Sequence, residues 1–218
     1  MLLVAVAIAW ATSRPEAPVP TVAAAPGAPS VLLIGDSYTR GQNGSGTHPG
    51  YVPGLCSAMR WSCTIDAVDG TGFVATIKGD DTFGTRLTRS RIGAPQLVLL
   101  IGGLNDARIS ASVAEERAAV VATLAAARRR YPSSSLIVVG PMSDGRWSQS
   151  VVASISGAIE SAAVSQAVTF LQAADWLPAA DLGPDGIHPT QRGYAVIAQR
   201  FAAALAPLTS SLPTSAPR

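Results

Sequence analysis

The chain has 218 residues, of which 48% are hydrophobic and 14% are charged, and its formal net charge is +2. So small a charge leaves no basic surface to neutralise a phosphate backbone, which argues against a nucleic-acid partner. The composition of both ends predicts segments outside the fold, and residues 31–206 then form one domain, long enough to bury a full core.

The amino-terminal segment, residues 1–30, has the features of a secretion signal followed by a linker. Residues 2–11 are an apolar run that is too short to cross a bilayer comfortably but is typical of the core of a signal peptide. No basic stretch precedes this run, so a retained segment that associates the chain with a membrane is the alternative. Residues 12–30 are rich in Pro and Ala and predict an extended linker. We therefore expect a secreted or cell-envelope protein, with a second flexible segment at residues 207–218.

Cys56 and Cys63 are the only cysteines in the chain. In an exported protein an even pair favours a disulfide over a metal site, which would need further ligands. Two buried free thiols are the alternative. A disulfide here closes a short loop, and in the chain-entropy model it contributes on the order of 2 kcal/mol to stability.

Strands and helices alternate along the rest of the chain. Short apolar runs rich in β-branched residues predict buried strands at 31–34, 63–68, 96–101, 136–139 and 168–171. Helical spacing of apolar residues, with Ser112 and Glu115 as a capping box for one helix, predicts helices at 53–61, 112–130, 149–166 and 189–204. Residues 69–94 read as irregular. This alternation is typical of a three-layer α/β/α sandwich around a mostly parallel, five-stranded sheet.

Two motifs together supply a serine, an acid and a base. The first predicted strand ends in Gly35-Asp36-Ser37-Tyr38, and Asp185-Gly186-Ile187-His188-Pro189 precedes the last helix. A serine at the carboxyl end of a strand can meet a substrate, but its hydroxyl is a weak nucleophile until a base takes the proton. His188 can be that base. Asp185 can fix the tautomer of the imidazole and stabilise the imidazolium, as the acid of a catalytic triad does.

Three N–H groups near the predicted strand ends can bind an oxyanion, the negatively charged oxygen that develops on a substrate carbonyl. They are the backbone N–H of Ser37, the backbone N–H of Gly72 in Asp69-Gly70-Thr71-Gly72, and the side-chain amide of Asn105 in Gly103-Leu104-Asn105-Asp106. Removing one such donor typically lowers the rate about 10²- to 10³-fold.

Each of these motifs also has a structural interpretation. Asp36 can simply cap the following helix, and Asn and Asp stabilise ordinary turns. Asp185 and His188 can form half of a metal site, but zinc needs more nitrogen or sulfur ligands, and His48 with two disulfide cysteines is a poor supply. We therefore expect no metal. Four weak motifs in one order, each at a predicted strand exit, favour a single site over four unrelated turns.

With these residues, the chain over 31 to about 204 resembles the SGNH hydrolases, the superfamily of GDSL-type esterases and lipases. The resemblance implies that Ser37 is the nucleophile, His188 the general base and Asp185 its orienting acid. It also implies an oxyanion hole built from Ser37, Gly72 and Asn105, with no metal or organic cofactor. Two departures are a tyrosine in place of the leucine of the family's name and an unusual lead-in to Gly72, which leaves Gly70 open as the donor.

The resemblance implies a serine esterase, which cleaves carboxylic esters through an acyl-enzyme, and the amino-terminal segment predicts that it is exported. The ester would be a small molecule, a lipid or an acylated carbohydrate. An O-acyltransferase acting on an envelope polysaccharide would use the same residues, and a non-catalytic carbohydrate- or lipid-binding module is the third alternative. Segments 41–50, 73–94 and 141–148 would shape the acyl site, with Phe83 and Trp147 as residues that either line it or pack in the core.

Overall fold

The computed structural model describes residues 21–22, 25–42, 49–142 and 147–212. The predicted signal segment up to residue 20, His48 and the last six residues lie outside the described residues. None of the helices in the described part of the chain is long and apolar enough to span a membrane.

Within the described residues, six strands form one sheet in the order β1-β3-β2-β4-β5-β6. The strands are β1 Thr21–Val22, β2 Ser30–Gly35, β3 Ser62–Ala67, β4 Leu97–Ile101, β5 Ser135–Val139 and β6 Thr169–Leu171. Strands β2 to β6 pair in parallel, and they are the five strands that the sequence predicts. Their carboxyl ends therefore meet at one edge of the sheet, where the predicted site residues follow.

Strand β1 is an addition to the prediction, and it lies inside the segment that the composition marks as a linker. It pairs antiparallel with β3, with Thr21 opposite Thr64 and Val22 opposite Cys63. Val22 also packs against the core. The strand covers the free edge of β3, which a folded sheet otherwise exposes to pairing with other chains. Two residues are too few to show an alternating pattern, so only the folded sheet reveals the strand.

Seven α-helices in the described residues flank the sheet: α1 Ser37–Arg40, α2 Val52–Met59, α3 Phe83–Arg89, α4 Leu104–Arg108, α5 Val113–Arg130, α6 Gln149–Ser165 and α7 Gln191–Thr209. Helices α2 and α7 pack on one face of the sheet, and α3, α5 and α6 pack on the other. The predicted three-layer sandwich is confirmed. So is the capping box that begins α5, where the Ser112 hydroxyl and the Glu115 carboxylate each accept a hydrogen bond from the other residue's backbone N–H.

Helix α3 lies in the segment expected to be irregular. Its side chains Phe83 and Leu87 are completely buried, and the Phe83 ring packs edge-on against Phe73 with 4.9 Å between ring centroids. The helix is therefore stabilised by tertiary packing. Its sequence does not predict a helix, because Gly and Thr have low helix propensity. This burial places Phe83 in the core and not in the wall of an acyl site.

The end of helix α7 differs from the prediction. Helix α7 continues past Pro207 to Thr209, so it includes the first three residues of the segment expected to be flexible. Leu205 and Thr209 are buried there, and the Thr209 hydroxyl donates to the Leu205 carbonyl at 2.9 Å.

The predicted disulfide between Cys56 and Cys63 is present and joins α2 to the start of β3.

Candidate active site

The nucleophile of the predicted site stands on a sharp turn between β2 and α1. Ser37 is the first residue of α1, and the Asp36 carboxylate caps this helix by accepting the Tyr38 N–H at 3.0 Å. Helix α1 packs closely against the strand end, because a Cβ at Gly35 would lie 2.0 Å from the Thr39 hydroxyl oxygen. The helix then ends at Gly41, whose φ of 93° is readily adopted only by glycine. The turn fixes the Ser37 side chain at the carboxyl edge of the sheet.

The structure brings Ser37, His188 and Asp185 together as the sequence predicts. Nε2 of His188 lies 3.0 Å from Oγ of Ser37, and Nδ1 of His188 lies 2.6 Å from Oδ2 of Asp185. When Nδ1 carries the ring proton and donates it to Asp185, Nε2 holds a lone pair directed at the serine hydroxyl. This geometry suits removal of the hydroxyl proton by the imidazole.

Asp185 is held as a carboxylate by the loop that carries it. Its Oδ1 accepts the backbone N–H groups of Ile187 and His188, each at 3.0 Å. Burial alone would raise the pKa of Asp185, but the hydrogen bonds from the His188 ring and from these two N–H groups outweigh it and lower the pKa to about 2. The side chain is therefore anionic at neutral pH and can stabilise an imidazolium on His188.

Tyr38 links helix α1 to the loop that carries Asp185 and His188. Its hydroxyl donates to the Ile187 carbonyl at 2.5 Å, and its ring lies 5.9 Å from the His188 ring, centroid to centroid. The sequence shows a tyrosine here in place of leucine but does not predict this hydrogen bond. The feature of the sequence that points to this hydrogen bond is the tyrosine itself, because a phenol follows Ser37 where the family's name has leucine.

The oxyanion donors implied by the resemblance differ in what they contact. In the described part of the chain the Ser37 N–H has no hydrogen-bond acceptor, so it is free to bind a substrate oxygen. Nδ2 of Asn105 donates to the Thr71 carbonyl at 3.0 Å and to Oδ2 of Asp36 at 3.3 Å. The Asn105 amide therefore lies beside the nucleophile turn, held by one close and one longer hydrogen bond.

Gly72 lies next to this amide, but its N–H donates to the Ala75 carbonyl at 2.9 Å. Binding an oxyanion there requires that bond to open, and the choice between Gly70 and Gly72 stays a prediction. The structure does explain why residue 72 is a glycine, because a Cβ there would lie 2.3 Å from a carboxylate oxygen of Asp106.

Asp106 is a residue of the site that sequence reasoning missed. Its buried carboxylate accepts the backbone N–H groups of Phe73, Val74 and Ala75 at 3.0, 2.9 and 2.6 Å. Asp106 follows Asn105 directly in α4. This short helix therefore presents the Asn105 amide and also shapes the glycine loop, residues 69–75, which contains Gly70 and Gly72. An acidic residue beside a motif asparagine, at the end of a wholly apolar strand, is the signal that marks it.

Arg86, in the unpredicted helix α3, ties together the strand ends that carry the site. Its guanidinium is buried and donates to the Asp66 carboxylate at 2.6 Å, which compensates its charge. It also donates to the Gly35 carbonyl at 2.8 Å and to the Thr71 hydroxyl at 3.4 Å. The ends of β2 and β3 are thereby fixed relative to the glycine loop.

Asp36, the carboxyl group next to Ser37, has an unusual environment. Burial raises its pKa to about 6, although the hydrogen bond from the Tyr38 N–H acts in the opposite direction. Nearby Asp106 raises the pKa further, while His188 and Arg86 lower it. Because Asp36 contacts both Tyr38 and the Asn105 amide, it connects the nucleophile turn to a candidate oxyanion donor.

Comparisons with known proteins identify a family and a shared fold. A family model described as the GDSL-like lipase/acylhydrolase family matches residues 33–196. A comparison with curated protein sequences finds no match.

Among solved structures, the carbohydrate acetylesterase Est24 of Sinorhizobium meliloti is 18% identical with a TM-score of 0.64, covering 83% of this chain and 99% of its own. The aryl esterase of M. smegmatis is 17% identical with a TM-score of 0.64, covering 85% of this chain and 100% of its own. The lipase/acylhydrolase of Enterococcus faecalis is 19% identical with a TM-score of 0.63, covering 86% of this chain and 100% of its own. At these identities the three structures establish the shared fold.

Proposed function

The chain belongs to the GDSL-like lipase/acylhydrolase family, and we propose that it is an exported serine esterase that hydrolyses carboxylic esters through an acyl-enzyme. The main support for the proposal is the geometry of three side chains. Oγ of Ser37 lies 3.0 Å from Nε2 of His188, and Nδ1 of His188 lies 2.6 Å from the carboxylate of Asp185. The disulfide, which persists in oxidising compartments, supports export.

In the first half-reaction, Oγ of Ser37 attacks the carbonyl carbon of the ester while its proton passes to Nε2 of His188. The anionic Asp185 stabilises the imidazolium that forms. The negative charge on the former carbonyl oxygen is met by the Ser37 N–H and by the Asn105 amide, which exchanges its longer bond to Asp36 for the oxyanion. When the tetrahedral intermediate collapses, the ester C–O bond breaks and His188 gives its proton to the departing alkoxide.

In the second half-reaction, a water molecule takes the place of the alcohol. His188 removes a proton from this water, the resulting hydroxide attacks the acyl carbon, and the Ser37 oxygen leaves and recovers its proton from the imidazolium. A carboxylic acid is released and the enzyme returns to its starting state. If a sugar hydroxyl replaced the water, the same steps would transfer the acyl group instead, which is the acyltransferase alternative.

Release of p-nitrophenol from p-nitrophenyl acetate at mildly alkaline pH tests this proposal. We expect activity in the wild type and its loss in Ser37→Ala. Ser57→Ala is the matched control, because Ser57 is exposed on α2, away from the carboxyl edge of the sheet. Activity in Ser37→Ala equal to that of the wild type would overturn the proposal. A folded wild type that releases p-nitrophenol only when a sugar acceptor is present would be an acyltransferase, and one inactive under both conditions would be a binding module.

A further inference from the structure

An open groove of about 260 Å³ lies where helices α5 and α6 begin. Ala111 and Val113 form one wall, and Ser150, Val151, Ser154 and Ile155 form the other. The amino ends of these helices face the carboxyl edge of the sheet, because each helix returns the chain towards the start of the next parallel strand. The groove therefore opens at the same edge as Ser37.

Among the described residues, the lining of the groove is uncharged and consists of four aliphatic residues and three serines, with no aromatic or ionisable side chain. Val113 and Val151 are 53% and 39% exposed. The hydroxyl of Ser154 donates to the Ser150 carbonyl at 2.9 Å, and the Ser150 hydroxyl lies 3.1 Å from that of Ser148, so these serines are already paired within α6. Such a surface suits a hydrocarbon chain better than a sugar, which requires polar groups placed to orient it.

Both walls are attached to the turn that presents Asn105. The N–H of Ala111 donates to the Asp106 carbonyl at 3.0 Å, and a Cβ on Gly103 would lie 3.5 Å from a methyl carbon of Ile155. Ser110, which also lines the groove, lies in the turn that follows α4, the helix that presents Asn105. The groove therefore adjoins the carboxyl end of α4.

We propose that this groove binds the acyl chain of the ester substrate, so that the enzyme prefers medium-length acyl groups to acetyl. The inference rests on the proposed esterase function. With the carbonyl carbon at Ser37 and its oxygen at Asn105, the chain runs past α4 and lies between Val113 and Val151. An acetyl group has one methyl carbon beyond its carbonyl and does not reach the groove.

The test compares kcat/KM for p-nitrophenyl octanoate with that for p-nitrophenyl acetate. Each buried methylene is worth about fourfold in binding, so we expect the wild type to favour octanoate at least tenfold. Val151→Asp and Val113→Asp place a carboxylate in the groove, and each lies in a first helical turn, where a negative charge is compatible with folding. We expect each to lower the octanoate-to-acetate ratio at least tenfold, while Val164→Asp, at the other end of α6, leaves it unchanged.

A wild type that favours acetate, or a ratio that neither groove variant changes, would overturn the inference. Hydrolysis of acetate that depends on Ser37 would still support the esterase, so the two proposals fail separately. Calorimetric titration of Ser37→Ala with sodium octanoate tests binding in the groove without catalysis. We expect saturable binding that Val151→Asp abolishes in the Ser37→Ala background, and equal binding to both proteins would contradict the proposal.

Discussion

The hydroxyl of Tyr38 donates to the backbone carbonyl of Ile187 across 149 positions of sequence. This bond joins the helix that begins at Ser37 to the loop that holds Asp185 and His188. Because Asp185 and His188 flank Ile187 in that loop, the position of the imidazole relative to Ser37 depends on this contact. A leucine at position 38 would fill the space but supply no donor.

Tyr38→Phe removes the hydroxyl and keeps the ring. The net contribution of such a hydrogen bond is about 1 kcal/mol, and a partly buried carbonyl is left without this donor, so we expect kcat to fall roughly five- to tenfold. Tyr131→Phe is the matched control, because its hydroxyl pairs with Ser90 at 2.7 Å on the other side of the fold. An unchanged kcat in Tyr38→Phe, with ester hydrolysis as the readout, would show that the loop needs no such anchor.

Asp185→Asn tests the acid of the triad. The amide is nearly isosteric but carries no charge, and its NH₂ favours the wrong tautomer of His188, so we expect kcat to fall about 10²- to 10⁴-fold. The low pKa of Asp185, about 2, keeps the carboxylate charged across the working range, so the loss should appear at every pH from 5 to 9. Asp175→Asn, at an exposed position on the surface, should retain wild-type kcat. Equal rates for the two variants would remove Asp185 from the triad.

Much of the fold was predictable because buried parallel strands have a strong sequence signature. Strand β4, Leu97–Ile101, is wholly apolar and completely enclosed, and its bounds differ from the prediction by one residue. Helix α3 carries no comparable signature, since Phe83 and Leu87 are buried by partners elsewhere in the chain. Strand β1 exists only because β3 offers it an edge. Elements that depend on their partners are the ones that local pattern cannot identify.

The same distinction holds within the site. Ser37, Asp185 and His188 stand in short motifs whose chemistry can be recognised from neighbouring residues. Asp106 and Arg86 act through backbone groups that are distant in sequence, such as the Phe73 N–H and the Gly35 carbonyl, and no local pattern reports those contacts. Sequence reasoning therefore found the candidate reacting groups, which the structure brings together, and missed the residues that position them.

Asn105→Ala tests the oxyanion donor. An interaction made only with the developing oxyanion stabilises the transition state and not the bound ester, so we expect kcat to fall about 10²- to 10³-fold with little change in KM. Steady-state kinetics on p-nitrophenyl acetate gives both constants. If KM rises while kcat stays constant, the amide binds the ground state and Asn105 is not an oxyanion donor.

Glu116 makes stability depend on pH. Its side chain is completely buried in α5, and neither carboxyl oxygen has a hydrogen-bond partner among the described residues. Burial, followed by the charge of Asp106, raises its pKa from 4.5 to about 9. Between these values the folded chain binds one more proton than the unfolded chain, so this group lowers the free energy of unfolding as pH rises through that window.

Glu116→Gln keeps the neutral shape and removes the titration. We expect the variant to be more stable than the wild type at pH 8, by on the order of 2 kcal/mol, and to show a flatter dependence of unfolding free energy on pH between 5 and 9. Urea denaturation at several pH values measures both quantities. The exposed Glu160→Gln provides the reference, and curves for Glu116→Gln that run parallel to the wild type would contradict the assignment.

Labelling with a fluorophosphonate, which reacts with activated serines, decides whether Ser37 is a nucleophile activated by His188. Attack by Ser37 Oγ forms an oxygen–phosphorus bond and expels fluoride, and the serine proton passes to His188. Intact-mass measurement and peptide mapping should find one adduct per chain, located on Ser37, absent from Ser37→Ala and formed much more slowly in His188→Ala. A folded protein that gains no adduct, or gains it on another residue, would show that Ser37 is not an activated nucleophile.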